Sequence, residues 1–382
     1  MKTRAAVLWG QHQEWKIEDV ELGEPGPTEV IVKMAFAGLC HSDEHLVTGD
    51  ITAPAEILAL VGAPHFLPCI GGHEGAGVVE QVGDAVRGVA VGDHVSVSFI
   101  PSCGLCKWCS TGRQNLCDMG AATLAGGMIA DGQYKHHAKD TPLNRMAQLG
   151  TFSEYILVNQ ASVIKVDDDY PLDVVALVSC GVATGVGSAQ KRAEVKSGDT
   201  VVVVGIGGIG ANAVQGARLN GAANIIAIDT NVDKKEKAEE FGATHFFTSF
   251  QEAAGAVMEM TRGNMADSCI ITAGVVTGDL IDPALSIIAK DGTVVVTGLA
   301  PMSQRDVKLD LFGLAMYNKQ IRGSIFGSSN PRAEIPRLLQ EYRRGALKLS
   351  ELITNRYKLE EINQGYQDMN DGKNIRGVIE FG

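Results

Sequence analysis

The strongest constraint on the fold is the glycine-rich run Gly205-Ile-Gly-Gly-Ile-Gly210. An unbroken apolar run at 201–204 precedes it and predicts a strand buried on both faces. A helical pattern over 211–220 and a second strand over 224–229 follow, so the glycines lie at the first turn of a βαβ unit. Asp229 ends the second strand, 19 positions after Gly210. In this context the motif predicts a dinucleotide-binding site in a doubly wound parallel sheet.

The glycines of this motif have separate predicted roles. Gly205 makes the tight turn, Gly207 lets the backbone approach a pyrophosphate, and Gly210 lets helix and strand pack closely. The helix N-terminus favours the negative charge of a phosphate. Asp229 is expected to bind the adenosine ribose hydroxyls and to repel a 2′-phosphate, so the sequence favours NAD over NADP.

The rest of the chain predicts two domains. Four more strand-like runs, at 245–247, 269–271, 294–296 and 321–325, complete a six-stranded Rossmann sheet. A length of 382 residues exceeds one ordinary core, and short strand-like runs such as 30–36 predict a β-rich domain before the glycine motif. A helix over 333–344 and a strand over 377–381 are expected to return to that first domain.

Four cysteines, Cys103, Cys106, Cys109 and Cys117, follow a C-x2-C-x2-C-x7-C spacing. Four thiolates within so short a segment can close a tetrahedral shell around Zn²⁺, which predicts a structural site. An iron–sulfur cluster is the alternative, since part of the spacing is typical of ferredoxins, but the seven-residue gap disfavours it. A disulfide pair is a third and weaker alternative.

A second metal centre is predicted from the remaining ligands. Residues 38–45 combine thiol, imidazole, hydroxyl and carboxylate groups, a mixture suited to a metal that holds an oxygen and passes on its proton. A bound dinucleotide can accept a hydride, but the oxidation of an alcohol also needs a group that holds the alkoxide. A zinc ion with an open coordination position can do this. Cys40, Cys180 and His73 are the best candidates, although a lone histidine is more often structural. The glycine-rich segment after Cys180 predicts that a helix begins there. Cys69 and Cys269 are expected to be packed and inert.

Composition and charge limit the partners and the cellular compartment that are expected. The formal net charge of −12, with no basic cluster, argues against nucleic acid and anionic membrane surfaces as partners. No signal-peptide pattern is found at the N-terminus, and no uninterrupted apolar run approaches the roughly 18 residues of a membrane span. A soluble cytoplasmic protein is therefore expected, in which the eight cysteines point to metal rather than disulfides. His136 and His137 are interpreted as surface residues.

In chain order the sequence contains the motifs Gly-Leu-Cys40-His41-Ser42-Asp43, Gly72-His73-Glu74-Gly75, the four-cysteine lobe, Cys180-Gly-Val-Ala-Thr184-Gly, the 205–210 glycines and Asn374-Ile-Arg376-Gly377. In these motifs and over nearly its whole length, the chain resembles the zinc-containing alcohol dehydrogenases of the medium-chain dehydrogenase/reductase superfamily. The resemblance implies a GroES-like β-rich catalytic domain at 1–181 with a structural zinc lobe at about 100–118, a Rossmann NAD-binding domain at 182–325, and a return to the catalytic domain at 326–382. It also implies an NAD-dependent oxidoreductase with two zinc ions per chain.

The resemblance implies a role for each matching position. Cys40, His73 and Cys180 resemble the ligands of the catalytic zinc, with Glu74 behind the metal and Asp43 orienting His73. The other matching positions resemble a proton relay (Ser42, His45), pyrophosphate contacts (His41, Arg376), a nicotinamide contact (Thr184), an adenosine ribose contact (Lys234) and a substrate-pocket wall (Phe99).

One feature departs from the family pattern. Cys40 and His73 lie 33 positions apart, which is longer than expected for common members of the family. The extra length falls in the apolar segment 51–70, and we hypothesise that this segment covers the cleft. The chain then resembles bacterial nicotinoprotein alcohol dehydrogenases, which hold NAD(H) tightly and pass electrons to an external acceptor, assayed with a nitroso-dimethylaniline dye.

Other functions remain open. They are an ordinary alcohol, polyol or thiol-adduct formaldehyde dehydrogenase with exchangeable NAD, and a non-catalytic binder of NAD and zinc. A small-molecule alcohol or aldehyde is the expected substrate, and a homodimer or homotetramer the expected assembly.

Overall fold

The computed structural model describes residues 1–52, 66–120 and 127–382. The chain divides into two compact units. Unit 1 contains Met1–Cys180, Asn330–Gly345 and Leu349–Gly382, and unit 2 contains Gly181–Ser329 and Ala346–Lys348. The C-terminal segment thus belongs largely to the same unit as the N-terminal half. Most of the segment hypothesised to cover the cleft, residues 53–65, lies outside the described residues.

The N-terminal part of unit 1 consists mainly of short strands. Among the described residues, three short α-helices interrupt them: α1 (His41–Thr48), α2 (Lys107–Ser110) and α3 (Leu172–Leu177). The strands are β1 (Lys2–Leu8), β2 (Lys16–Leu22), β3 (Glu29–Gly38), β4 (Cys69–Ile70), β5 (Gly75–Val82), β6 (His94–Val97), β7 (His136–Ala138), β8 (Thr141–Pro142), β9 (Asn144–Arg145), β10 (Tyr155–Asn159) and β11 (Val163–Lys165).

Unit 2 alternates strands with helices. Its strands are β12 (Thr200–Val204), β13 (Asn224–Ile228), β14 (His245–Phe247), β15 (Ala266–Ile271), β16 (Ile288–Val296) and β17 (Gln320–Gly323). Its helices are α4 (Ala183–Gly187), α5 (Gly208–Leu219), α6 (Lys235–Phe241), α7 (Phe250–Met260), α8 (Ile281–Ser286) and α9 (Leu311–Met316). The part of the chain that returns to unit 1 contains α10 (Pro331–Arg343), β18 (Ile353–Tyr357), α11 (Ile362–Asn370) and β19 (Arg376–Glu380).

The described part of unit 1 holds two largely antiparallel sheets. One has the order β8-β7-β2-β1-β4-β9, and the other β11-β6-β5-β3-β19-β18 with β10 also paired to β3. Strand β3 is central because it pairs with β5, β10 and β19, which brings the C-terminal segment into the sheet of the N-terminal half. Its end at Gly38 delivers Cys40 directly to the start of α1.

Unit 2 is the predicted doubly wound sheet. Its six strands are all parallel in the order β14-β13-β12-β15-β16-β17, so the prediction of a six-stranded Rossmann sheet is confirmed. Every residue of β12 is buried, as expected of a central strand covered on both faces. Carboxyl ends of parallel strands share one edge, where such folds bind ligands.

The helical region around Cys180 differs from the sequence expectation. That expectation placed Cys180 before a helix, whereas α3 already begins at Leu172 and Cys180 lies in a π-helical turn, Val178–Val182. The whole helical run, Leu172–Arg192, is long and apolar enough to span a membrane by length and composition, and it is the one such helix among the described residues. Because 89% of its most apolar stretch is buried inside the protein, it has the character of a core helix.

The interpretation of His136 as a surface residue was wrong. His136 lies in β7 and is only 3% exposed, while its neighbour His137 is partly exposed. Successive residues of a strand point to opposite faces, so one member of an adjacent pair faces the core. Burial lowers the pKa of His136 well below its ordinary value, which keeps the ring neutral.

A matched pair of valines tests the core of unit 2. Val202 in β12 is fully buried and Val232 is 60% exposed. Val202→Ala removes two buried methyl groups from the central strand and should lower the stability of unit 2 by about 2 to 3 kcal/mol. Val232→Ala should change it by less than about 0.5 kcal/mol. Thermal or urea unfolding measures both, and equal losses would contradict this assignment of the core.

Candidate active site and cofactor site

Three separate elements of unit 1 bring together the predicted ligands of the catalytic zinc. Cys40 precedes α1, His73 lies between β4 and β5, and Cys180 lies in the π-helical turn. Together with Glu74, each offers one ligand atom, and all four atoms lie within 4.8 Å of one another. All four residues are buried.

Asp43 fixes the ring of His73. Its Oδ2 lies 2.8 Å from His73 Nδ1, and its Oδ1 accepts a hydrogen bond of 2.7 Å from the backbone N–H of Gly72. Because an ionised carboxylate only accepts hydrogen bonds, Nδ1 carries the proton and donates it. His73 Nε2 therefore faces the cysteines, and it is buried without a hydrogen-bond partner among the described residues.

The electrostatics of this cluster favour a cation. A hydrogen bond from Cys180 holds the pKa of the Cys40 thiol well below its ordinary value. Burial alone would lower the pKa of His73, but the charges of Asp43 and Cys40 raise it well above its ordinary value. The site thus attracts positive charge at Nε2, carried either by a proton or by a metal ion.

Glu74 and Arg376 form a buried pair beside the cluster. An Nη2 of Arg376 donates to Glu74 Oε2, and it also donates to the carbonyl of Leu39 at 3.0 Å. Burial raises the pKa of Glu74 to about 7 despite the nearby guanidinium. The other oxygen, Oε1, has no partner among the described residues and lies 4.0 Å from His73 Nε2.

The donor set fits a zinc ion. Two cysteine sulfurs and one imidazole nitrogen are a ligand set of catalytic zinc, which leaves one position open. Such a site requires an imidazole nitrogen that is available to the metal and a carboxylate that orients the ring. His73 Nε2 and the carboxylate of Asp43 meet these two requirements.

The predicted relay residues lie on α1. Ser42 Oγ is 3.7 Å from Cys40 Sγ. His45 is only 2% exposed, and its Nδ1 lies 2.9 Å from Asp50 Oδ2. The hydroxyl of Thr48 and the ring of His45 hold the pKa of Asp50 below its ordinary value, so Asp50 is a carboxylate and Nδ1 is the donor.

Sequence reasoning missed Asp50 and Tyr366. Asp50 follows Gly49, whose left-handed backbone (φ 85°) ends α1 and turns the chain back onto the last helical turn. A glycine after a helix followed by an acid is the signal that could have found it. Tyr366 is distant in sequence, and its hydroxyl donates to the carbonyl of Cys40 at 3.5 Å. Nothing local in the sequence indicates that contact.

Phe99 lies against the metal cluster. Its ring centroid is 5.7 Å from that of His73, with the two rings at 90°. This contact is compatible with the predicted substrate-pocket wall, because it places an apolar side chain beside a predicted zinc ligand.

The four-cysteine lobe forms a second cluster. The sulfurs of Cys103, Cys106, Cys109 and Cys117 also lie within 4.8 Å of one another. Backbone N–H groups point at the sulfurs: those of Leu105 and Cys106 lie 3.4 and 3.3 Å from Cys103 Sγ. Backbone N–H groups of Asp118 and Cys109 lower the pKa of Cys106 to about 6. Four convergent sulfurs fit a closed tetrahedral zinc site.

The glycine motif of unit 2 forms a cradle. Gly205 has a φ of +89°, and Thr272 Oγ1 donates to its carbonyl at 2.7 Å. A Cβ at Gly210 would lie 1.9 Å from the Gly205 carbonyl oxygen, so helix and turn are in close contact. At Gly207 a Cβ would meet no atom within 4 Å, which leaves room for a phosphate at the start of α5.

Asp229 follows β13 and supports this cradle. Its oxygens accept hydrogen bonds from the N–H of Ile206 at 2.7 Å, the N–H of Asn231 at 2.9 Å and Lys234 Nζ at 3.1 Å. A carboxylate has about four acceptor sites, so one remains for a ribose hydroxyl. The geometry fits a dinucleotide, with Asp229 and Lys234 together where the ribose is predicted.

The remaining predicted cofactor contacts are spread over both units. Thr184 belongs to α4 of unit 2 and is 5% exposed, whereas His41 is exposed at the start of α1 in unit 1. Arg376, expected to contact a pyrophosphate, is engaged by Glu74 and the Leu39 carbonyl, but its Nε has no partner among the described residues.

Cys69 and Cys269 are fully buried, and burial raises both thiol pKa values, as expected of inert cysteines.

Comparison with known proteins identifies the family. Residues 26–168 match the alcohol dehydrogenase GroES-like domain, and residues 208–344 match the zinc-binding dehydrogenase family. An NDMA-dependent alcohol dehydrogenase of Amycolatopsis methanolica is 52% identical over 99% of both chains. Alcohol dehydrogenase B of Mycobacterium tuberculosis is 45% identical over 100% of this chain and 99% of its own. The crystal structure of benzyl alcohol dehydrogenase from Acinetobacter calcoaceticus superimposes with a TM-score of 0.89 at 26% identity, covering 100% of each chain.

These matches span both units and confirm the predicted GroES-like and Rossmann fold, the zinc dependence and the enzyme class. The chain belongs to the zinc-containing alcohol dehydrogenases of the medium-chain dehydrogenase/reductase superfamily.

Proposed function

We propose that this chain oxidises a primary or secondary alcohol to an aldehyde or ketone, with NAD held tightly and re-oxidised in place by an external acceptor. The observation that carries the alcohol chemistry is the buried Cys40–His73–Cys180 set with its unpartnered His73 Nε2. Support for the tightly held cofactor comes from the 52% identical relative, whose activity is named as NDMA-dependent.

The residues of unit 1 have defined tasks in this proposal. Zinc, when bound by Cys40, His73 and Cys180, supplies a Lewis acid that lowers the pKa of the alcohol hydroxyl. Asp43 holds His73 in the tautomer that leaves Nε2 available. Phe99 borders the site and excludes water from the substrate side. Glu74 lies beside the ligands and has a pKa of about 7, so near neutral pH it can change the charge behind them by gaining or losing a proton.

The residues of unit 2 bind and orient the nucleotide in this proposal. NAD, when bound, supplies the hydride acceptor. Gly207 and the start of α5 receive the pyrophosphate, and Asp229 with Lys234 receives the adenosine ribose. A 2′-phosphate would meet the carboxylate of Asp229, so we propose NAD rather than NADP.

Alcohol oxidation also releases a proton, which this chain's own residues must remove. We propose that it passes from Ser42 to His45, as in the family. The Asp50 carboxylate holds the proton on His45 Nδ1 and thereby leaves Nε2 as the accepting atom. Asp50 has a side chain 25% exposed against 3% for His45, so it lies on the solvent side of the ring.

We further propose a cytoplasmic homodimer or homotetramer. All eight cysteines are free, which suits a reducing compartment. Helix α9 exposes Leu311 and Phe312 by 70% and 71%, next in sequence to β17 at the edge of the parallel sheet. Exposed apolar residues beside a sheet edge favour self-association.

The tightly held cofactor is tested on the purified protein. After gel filtration and denaturation, we expect about one NAD(H) released per chain, and alcohol oxidation that depends on nitroso-dimethylaniline without added NAD. A protein that emerges empty and turns over added NAD without the dye would refute this part of the proposal. It would instead indicate an ordinary alcohol, polyol or thiol-adduct formaldehyde dehydrogenase.

The role of Asp50 is tested by Asp50→Asn. An amide cannot enforce a proton on Nδ1, so turnover at neutral pH should fall by roughly 10- to 100-fold, and small buffer bases should partly restore it. Thr48→Val, which removes a hydroxyl 2.7 Å from the same carboxylate, is the control and should retain most of the turnover. Wild-type turnover in Asp50→Asn, with no dependence on buffer, would exclude the role.

The two zinc sites are tested with cysteine variants and metal analysis. Wild-type protein should contain two zinc ions per chain. Cys40→Ala should retain one, lose turnover and unfold at nearly the wild-type temperature, because its site is catalytic. Cys117→Ala should also retain one but unfold roughly 5 °C or more lower, because its site staples a loop.

Cys269→Ala is the matched control, since this buried cysteine lies in β15 outside both clusters. It should retain both zinc ions. Two zinc ions in Cys40→Ala or Cys117→Ala would contradict the ligand assignment.

A further inference from the structure

Three hydroxyl side chains of unit 2 meet in one cluster beneath the predicted nicotinamide contact. Ser188 is fully buried, Thr297 is 8% exposed, and Ser324 is partly buried. Ser188 Oγ donates to the carbonyl of Thr184 at 2.7 Å, and Thr297 Oγ1 donates to Ser188 Oγ at 3.0 Å. Ser324 Oγ lies 3.1 Å from Ser188 Oγ.

The hydrogen-bonding capacity of Ser188 is completely used. A serine hydroxyl has one donor and two acceptor sites. Since its single hydrogen goes to the Thr184 carbonyl, Ser188 must accept from both Thr297 and Ser324. The directions of all three hydrogen bonds are therefore determined, and loss of the Thr297 hydroxyl would remove one of the two donors to a buried oxygen.

The cluster lies at the ligand-binding edge of the sheet. Thr297 directly follows β16 and Ser324 directly follows β17, at the carboxyl ends where doubly wound folds bind nucleotides. Ser188 lies one helical turn after Thr184. The three hydroxyls thus tie two strand ends to the helical turn that carries Thr184.

Close backbone contacts hold the same turn on its other sides. A Cβ at Gly185 would lie 2.3 Å from the carbonyl oxygen of Ile209, in the helix that begins at the glycine motif. A Cβ at Gly187 would lie 2.3 Å from the carbonyl oxygen of Gly327. Helix α4 is therefore seated against the phosphate-binding helix, and its position relative to that helix is set by packing as well as by the hydroxyls.

We propose that Ser188, Thr297 and Ser324 are positioning residues that hold Thr184 in place for the nicotinamide and so slow the release of NAD(H). A site already ordered before binding loses less entropy when the cofactor enters, and most differences in affinity are expressed in the dissociation rate. The inference rests on the proposed function, in which this nucleotide is retained between turnovers.

The test compares four proteins: wild type, Thr297→Val, Thr297→Ser and Thr200→Val. Thr297→Val removes the hydroxyl and keeps the shape, whereas Thr297→Ser keeps the hydroxyl. Thr200 begins β12 at the opposite edge of the same sheet, and its buried hydroxyl accepts a hydrogen bond of 3.0 Å from Asn224 Nδ2. Thr200→Val therefore removes a comparable hydrogen bond away from the cofactor edge.

The readout is the release rate of bound NADH, followed by its fluorescence when excess ADP-ribose displaces it. Thr297→Val should release NADH about tenfold faster than wild type, the effect of losing one buried hydrogen bond. Thr297→Ser should release it at nearly the wild-type rate. Thr200→Val should unfold at a lower temperature but keep the wild-type release rate.

Two results would overturn the inference: wild-type release from Thr297→Val, or equally fast release from Thr200→Val, which would indicate a general loss of stability. If wild-type protein is purified empty, the proposed retention fails separately. The affinity for added NAD is then compared in the same four proteins, and an affinity weakened only in Thr297→Val supports the positioning role, whereas equal affinities refute it. If Thr297→Val does not fold, Ser324→Ala, at a partly exposed position, takes its place with the same criteria.

Discussion

A single buried carboxylate, that of Asp43, determines the geometry of the proposed catalytic site. It is 0% exposed and joins α1 to the turn before β5 through the Gly72 N–H and His73 Nδ1. A buried carboxylate is costly unless it is hydrogen-bonded and near positive charge. Both oxygens are therefore committed, and neither α1 nor the His73 ring can shift without leaving that charge unpaired. Because Cys40, Ser42 and His45 lie on or beside the same short helix, Asp43 positions all of them together.

The charge balance around this carboxylate explains why the site is arranged in pairs. Asp43 lies with His73, and Glu74 lies with Arg376, so each buried acid has one buried base. Cys40 adds a further negative charge. Because the pKa of His73 is raised, a proton on this ring partly neutralises that charge. A divalent cation at the ligand atoms would replace the protons held by His73 and Cys180 as the positive charge of the cluster. The engagement of Arg376 by Glu74 is also compatible with a second task, since a guanidinium has five N–H donors and Nε has no partner among the described residues.

Much of the fold could be predicted from sequence because its signals are local. The continuous valines of β12, the glycine turn and Asp229 at the end of β13 all lie within one βαβ unit. The failures have physical causes. His136 was misplaced because it lies in a short strand, β7, where alternation turns one of two adjacent residues towards the core. The helix around Cys180 begins earlier than predicted. The glycines after Cys180 suggested a helix start, whereas burial maintains one helical run through them. Asp50, Tyr366 and the Ser188 hydroxyl cluster depend on contacts that form only once the chain has folded back on itself.

The eight cysteines show how environment, rather than residue type, decides chemistry in this chain. Cys69 and Cys269 are enclosed by strands, and burial keeps their thiols protonated. In the lobe, backbone N–H groups directed at sulfur favour thiolate at Cys106, while burial raises the pKa of Cys117 to about 12. At the catalytic cluster, Cys180 donates to Cys40, so one sulfur carries the charge and the other the proton. Both clusters thus hold protons that a metal ion must displace, and this ties zinc binding at each site to proton release.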